Sequence, residues 1–178
     1  MLRLFAAIEV PPDIGEGLLP RQTGILGARW RPLDAFHITL RFFGDVAENQ
    51  ADDLDAELAT IRGKPLDLTI EAAGCFGEGP DIHAVWAGVG ENPGLRQLAA
   101  RCEASARKLH FKPETRIYKP HVTLAYLKGA DPARVADWIQ GHNMLKSPSF
   151  RMASFGLYSS WQGPDGSYYK LEQEYPLA

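Results

Sequence analysis

The sequence predicts an α+β fold built from two related lobes around a shared cleft. Three observations lead there. Alternating apolar and polar runs of strand length are interleaved with apolar stripes of helical period. The series strand, helix, strand, helix, strand occurs twice along the chain. The middle strand of each series carries the same tetrapeptide pattern, His37-Ile38-Thr39-Leu40 and His121-Val122-Thr123-Leu124. An α+β chain can show such an order by chance, but two histidines at equivalent places favour an internal duplication. The lobes are then expected to face each other across a pseudo-two-fold axis.

The elements follow in order. Residues 2–9 read as a strand closed by Pro11-Pro12-Asp13, which also opens a helix, because proline suits a first turn and aspartate its dipole. That helix is expected over 13–26, with a kink at Pro20. Residues 36–43 form the first His-x-Thr-Leu strand. A helix over 48–62 places Leu54, Leu58 and Ile61 on one face. Gly63-Lys64-Pro65 ends it, and Leu66, Leu68 and Ile70 alternate with Asp67 and Thr69 as a half-buried strand. The second series has a strand over 81–89 containing Trp86, and a helix over 93–110 with Leu95, Leu98, Cys102 and Leu109 on one face. The second His-x-Thr-Leu strand spans 116–127. A helix over 131–141 with Val135, Trp138 and Ile139 follows, then a strand over 149–159. Gly163-Pro164-Asp165-Gly166 marks a turn before a last strand over 167–176.

The 178 residues suit one domain, 1–178, of two lobes with one core. A net charge of −3 argues against a general nucleic-acid coat, which needs a basic surplus to displace counterions. It leaves room for recognition of a nucleic-acid end. Arg3, Arg29, Arg31 and Arg41, and Lys108, Lys112, Arg116 and Lys119, form local basic groups that could draw in a phosphate. Scattered solvated charge explains them equally well. Cys75 and Cys102 have no CxxC spacing and read as reduced, buried residues of an intracellular protein. The apolar start is too short for a signal peptide and reads as a first strand. No membrane-spanning run is present, and a monomer is expected.

On a strand, His and Thr of each motif share one face while the flanking aliphatics anchor the other. Two such strands facing one another offer two imidazoles and two hydroxyls. Histidine titrates near neutrality, so one ring can take a proton while the other gives one. In-line displacement at phosphorus needs those two jobs on opposite sides, and the threonines could hold non-bridging oxygens. A metal is the competing use of paired histidines. Zinc ordinarily takes three or more protein ligands, and here Thr occupies the second position of each motif, so no metal and no cofactor are expected. His83, His110 and His142 read as structural. Phe42 and Phe43 follow the first motif on alternating faces; core packing is expected for each, with base stacking as the sharper alternative. Trp30 and Tyr158 are candidates for the cleft rim and wall.

These residues resemble the two-histidine phosphoesterase superfamily, and more closely its RNA 2′,3′-cyclic phosphodiesterases, also called 2′–5′ RNA ligase-like proteins. The resemblance spans nearly the whole chain. It includes Arg3-Leu4-Phe5-Ala6-Ala7-Ile8, Arg29-Trp30-Arg31-Pro32, both motifs with Arg41-Phe42-Phe43-Gly44 and Tyr118-Lys119-Pro120 beside them, Val85-Trp86-Ala87-Gly88-Val89, and Phe155-Gly156-Leu157-Tyr158. It implies two antiparallel sheets forming a V-shaped central cleft, with helices outside. It implies metal-independent opening of 2′,3′-cyclic phosphate ends of RNA or nucleotides to a 2′-phosphate; separately, the reduced cysteines lead to the expectation of a cytoplasmic protein. His37 would be the proton donor and His121 the proton acceptor. Thr39 and Thr123 would bind substrate, with Arg41, Phe43 and Tyr126 as further contacts. Many relatives carry Leu-Ala-Arg where this chain has Leu124-Ala125-Tyr126, so Arg41, Lys119 or Lys128 is expected to supply the missing charge. A non-catalytic binder of RNA termini or nucleotides, and a 2′–5′ RNA end ligase, are the alternatives.

Overall fold

The computed structural model covers residues 1–178. Its strands are β1 (Leu2–Glu9), β2 (Arg29–Trp30), β3 (His37–Val46), β4 (Leu66–Leu68), β5 (Ile70–Phe76), β6 (Ala84–Val89), β7 (His121–Tyr126), β8 (Phe150–Met152), β9 (Ser154–Gly163) and β10 (Gly166–Pro176). Its helices are α1 (Pro12–Leu18), α2 (Glu48–Leu58), α3 (Pro93–Lys108) and α4 (Pro132–His142). The α+β class is as expected from the sequence. Two four-stranded sheets form, in the orders β10-β9-β1-β3 and β2-β7-β6-β5, and β4 pairs with β8 apart from them. Every pairing is antiparallel. No helix is long and apolar enough to cross a membrane.

The duplication is visible in the pairing. β1 lies beside β3, as β6 lies beside β7. The strand that closes each series joins the other lobe's sheet: β5 adds to β6, and β9 adds to β1. α2 and α4 begin at the same distance from their histidines, and each spans 11 residues. Leu68 pairs with Phe150 where β4 meets β8, joining the ends of the two series. One core cluster runs through both halves and includes Leu4, Ile8, Ile38, Leu40, Val122 and Leu124. Exchanged strands and a shared core mean that neither series closes its sheet alone.

The His-x-Thr strands also share an irregularity. Ala7 faces Thr39 but Ala6 faces Arg41, and Trp86 faces Thr123 but Val85 faces Ala125. Each strand therefore carries an extra residue just after its threonine. A β-bulge of this kind breaks the two-residue alternation and re-aims the side chains beyond it. The burial sequences match: Ile38, Leu40, Arg41 and Phe43 are buried with Phe42 exposed, as Val122, Leu124, Ala125 and Leu127 are buried with Tyr126 exposed.

Several boundaries differ from the expectation. The first helix ends at Leu18, and a 3₁₀ turn over Leu19–Arg21 contains Pro20, which cannot donate the next helical bond. α2 ends at Leu58; beyond it Thr60 Oγ1 donates to the Glu57 carbonyl at 2.6 Å and Arg62 Nη1 to that of Ala59 at 2.9 Å. The strand expected from 116 starts at His121. The preceding loop contains Pro113 and Pro120, which have no N–H to offer a ladder. It is tied down instead by Arg96 Nη1 donating to the Tyr118 carbonyl at 2.8 Å. β5 extends through a run of Ala and Gly that carries little strand signal. Ala72 sits at φ 66° and donates its N–H to the Leu145 carbonyl at 2.9 Å, so that strand is irregular too.

Candidate active site

Cross-strand partners share a face, so the bulges decide which side chains line each wall. On the first sheet Phe5 and Ala7 face Phe42 and Thr39. Phe5 and Ala7 cluster with Tyr158 and Tyr169, apart from the main core. On the second sheet Ala84 and Trp86 face Tyr126 and Thr123. Each wall thus holds a histidine, a threonine and, past the bulge, an aromatic residue. Arg41 and Phe43 go the other way. Arg41 pairs with Ala6 of the main core, bonds to Glu103 and to the Phe42 carbonyl, and donates to the Lys112 carbonyl at 2.6 Å. Phe43 packs 5.6 Å from Phe111 inside that core. The structure therefore does not bring Arg41 and Phe43 to the face of His37 and Thr39. Phe42 takes that position, with the Arg3 guanidinium 4.9 Å from its ring centroid.

His37 opens β3 inside an aromatic cage. Tyr158 stands edge-on at 4.6 Å between centroids, Tyr169 at 5.4 Å and Phe5 at 6.1 Å. His121 opens β7 in a matching position, with Phe76 edge-on at 4.7 Å and Trp86 at 6.1 Å. Phe76 on β5 and Tyr158 on β9 are the two exchanged strands' contributions, so each lobe supplies an aromatic support for the other lobe's histidine. Trp86 lies flat over β5; a Cβ at Gly74 would collide with its indole, which explains a glycine in that strand. Lys119 Nζ sits 4.8 Å from the centre of the Trp86 ring.

His121 Nδ1 lies 2.7 Å from the Lys119 carbonyl. A carbonyl only accepts, so Nδ1 carries the hydrogen, and Nε2 presents a lone pair when the ring is neutral. At His37 the corresponding carbonyl, two residues back, is that of Ala35. It favours the protonated ring, although Nδ1 lacks a partner in hydrogen-bond geometry. Burial is the main force on both rings and disfavours their charged forms, holding both below the ordinary histidine value of 6.5. Glu9 and Asp34 oppose this at His37 and Arg31 adds to it. At His121 Lys119 adds to it.

A measurable consequence follows. The unfolded chain takes up these protons near 6.5, whereas the folded one takes them only at lower pH, so the unfolded state binds more protons in that window. The stability contribution is complete above 6.5 and declines as pH falls from there through the folded values. Ring titration by NMR is expected to place both midpoints below 6.5 in the free protein, and thermal midpoints to drop between pH 7.5 and 5.5. Midpoints at or above 6.5 would contradict the dominance of burial.

The walls meet at several points. Tyr118 donates its hydroxyl to the Thr39 carbonyl at 2.9 Å, and burial holds that phenol well above its usual range. β3 packs near β7. Tyr126 on β7 faces Tyr169 on β10, with Arg31 against both. The sequence offers Arg31 only as one member of a basic group and of the Arg29-Trp30-Arg31-Pro32 segment, and nothing in it singles out this arginine from its neighbours. Tyr158 lines the wall as the sequence suggested. Trp30 instead packs on Trp138 at 6.2 Å. His83 stacks on Phe76, His142 bonds to the Trp138 carbonyl at 2.7 Å, and His110 caps α3 at φ 65°. No group of three or more His, Cys, Asp or Glu side chains gathers as a cation site.

Comparison with known proteins fits this geometry. A profile described as the 2′-5′ RNA ligase superfamily matches residues 24–163. The chain is 32% identical over 162 residues to an RNA 2′,3′-cyclic phosphodiesterase of Escherichia coli, covering 89% of this chain and 86% of the relative. It is 28% identical over 172 residues to one from Archaeoglobus fulgidus, covering 95% and 97%. Among solved structures, E. coli LigT complexed with 3′-AMP superposes with a TM-score of 0.82 at 26% identity, covering 99% of this chain and 98% of that one.

Proposed function

The chain belongs to the 2′-5′ RNA ligase superfamily, and from that premise we propose that it hydrolyses 2′,3′-cyclic phosphate ends of RNA or nucleotides to a 2′-phosphate. The observation that carries the reading is the repeated wall: a histidine, a threonine and a bulge at equivalent places on paired strands of two sheets. His121 Nε2 removes a proton from water, whose oxygen attacks phosphorus. The P–O3′ bond breaks in line, and His37 gives its proton to the departing O3′. Thr39 and Thr123 donate to the non-bridging oxygens, which holds the phosphate in register for attack.

The electrostatics support this division. At His121 burial, helped by the Lys119 charge, keeps the ring neutral, as a base must be, while the Lys119 carbonyl holds the hydrogen on Nδ1 and opposes that shift as Ala35 does at His37. His37 has Glu9, Asp34 and the Ala35 carbonyl to favour its proton against burial. An anionic phosphate entering beside it adds to that side. Tyr126 and Phe42 are positioned to contact the sugar or base as exposed rings on the histidine faces. The enzyme acts as one two-lobed domain and as a monomer, with no metal or other cofactor. Cys75 and Cys102 are free; Cys75 is half-buried rather than buried as the sequence suggested, and burial pushes the Cys102 thiol up to about 12, consistent with a reducing cytoplasm.

A dinucleotide ending in a 2′,3′-cyclic phosphate tests the reaction. Chromatography against both standards is expected to show the 2′-phosphate alone. Accumulation of the 3′-phosphate would mean that the other ester bond breaks, and unchanged substrate would remove the hydrolytic reading.

A further inference from the structure

Two arginines are buried in this protein, Arg31 at 6% exposure and Arg41 at 9%, and they are held in opposite ways. Arg41 has a carboxylate, Glu103. Arg31 belongs to none of the molecule's ion pairs. A buried guanidinium without a counter-charge is costly, because desolvation is not offset by a partner. Its surroundings do not supply an anion either. Nη2 donates to the Ser167 carbonyl at 2.8 Å, and its other neighbours are the rings of Tyr126 and Tyr169, each 5.6 Å from the guanidinium carbon.

The backbone beneath it is fixed. The Arg31 N–H donates to the Leu124 carbonyl at 2.8 Å, and Gln22 Nε2 donates to the carbonyls of Arg31 at 2.7 Å and Leu124 at 3.2 Å. Leu124 is the last residue of the second motif, so Arg31 is locked to the strand that carries His121 and Thr123. Its ring neighbours belong to both walls: Tyr126 is on the His121 strand, and Tyr169 packs against His37. The charge is also near enough to His37 to act on its proton. A pre-set cation thus stands where the two walls meet, lacking an anion.

We infer that Arg31 is the phosphate-binding cation of this cleft, its guanidinium receiving a non-bridging oxygen of the substrate phosphate and the 2′-phosphate of the product. The inference rests on the cleft being a phosphodiester site. It also accounts for the absence of an arginine at position 126: Tyr126 gives the Arg31 guanidinium a ring face to lie against. Lys119, one of the residues expected to supply that charge, is engaged over Trp86, and Arg41 is turned into the core.

The test compares wild type with Arg31→Gln and Arg31→Lys. Affinity for inorganic phosphate and for a nucleoside 2′-monophosphate is measured by calorimetry, beside kcat and KM on a nucleoside 2′,3′-cyclic phosphate and the thermal midpoint. Arg31→Gln is expected to weaken the monophosphate at least tenfold and to lower kcat/KM by a larger factor. Arg31→Lys, which keeps the charge and loses the planar fork, is expected to recover most of the inorganic phosphate affinity. Equal losses in both variants, tracking a lower thermal midpoint, would make Arg31 a clamp for the β9–β10 hairpin and overturn the proposal. So would unchanged affinity in Arg31→Gln. If the wild type binds the monophosphate through Arg31 but does not turn over the cyclic ester, the inference stands and the hydrolytic reading falls. If turnover persists undiminished in Arg31→Gln, the reverse holds.

Discussion

His37→Ala and His121→Ala are each expected to lower kcat on a nucleoside 2′,3′-cyclic phosphate by about 10²–10⁴-fold, the range for loss of a positioned proton-transfer group. The assay is run with a chelator present, since the proposed reaction routes no step through a metal. Folding is expected to survive. His121 is only half-buried. His37 is buried with an unpartnered Nδ1, so its removal abandons no strong hydrogen bond. The variants should differ in pH dependence. Without His121 the fall in rate on the acidic side, where the base takes up a proton, should disappear. Without His37 the fall on the alkaline side should go, because no side-chain acid remains to lose its proton. The double variant is expected to be little slower than the worse single one, because groups acting on one proton relay are not additive. A wild-type rate in either single variant, with circular dichroism unchanged, would remove that histidine from its proposed role.

What could be read from the sequence, and what could not, divides at the bulges. The motifs themselves were legible because His, Thr and two aliphatics in alternation satisfy a strand pattern and leave polar groups on one face. Apolar stripes made α2, α3 and α4 legible for the same reason. Just past Thr39 and Thr123 the alternation fails by one residue in each lobe, and β3 slips a second time at Phe43, between Phe42 and Gly44. Arg41 and Phe43, which strict alternation puts beside Thr39, therefore turn inward, and Phe42 turns out. Nothing in a single sequence marks that slip, since Leu40 and Leu124 are ordinary strand residues. β5 was hidden differently: its Ala and Gly carry little strand propensity, and at Gly74 the close approach of the Trp86 indole leaves no room for a side chain. Arg31 was visible as one member of a basic group and of the Arg29-Trp30-Arg31-Pro32 segment, with nothing to single it out. Its isolation from carboxylates is a property of the folded chain. The exchange of β5 and β9 between lobes also has no local signature, yet it places Phe76 and Tyr158 beside the histidines.

Arg41→Ala separates a structural arginine from a substrate-binding one. The side chain bridges Glu103 on α3 to the carbonyls of Phe42 and Lys112, and lies 5.6 Å from the Phe43 ring. Glu103 also accepts from Arg107 at 2.8 Å and from the Glu114 N–H at 3.0 Å. Arg41 therefore fastens three segments: β3, α3 and the loop leading to the second motif. Removing it leaves two carbonyls and a half-buried carboxylate short of donors, and breaking a buried pair from one side costs about 3–5 kcal/mol. The lower part of that range, about 3 kcal/mol, is expected here, because Arg107 still faces Glu103. Urea unfolding should show the midpoint move with little change in slope. Under conditions where the variant stays folded, KM for the cyclic ester is expected to change less than twofold, since Arg41 points away from the wall that carries His37. A large rise in KM with stability unaffected would instead return Arg41 to the substrate side of the strand, and would show that the bulge after Thr39 does not persist in solution.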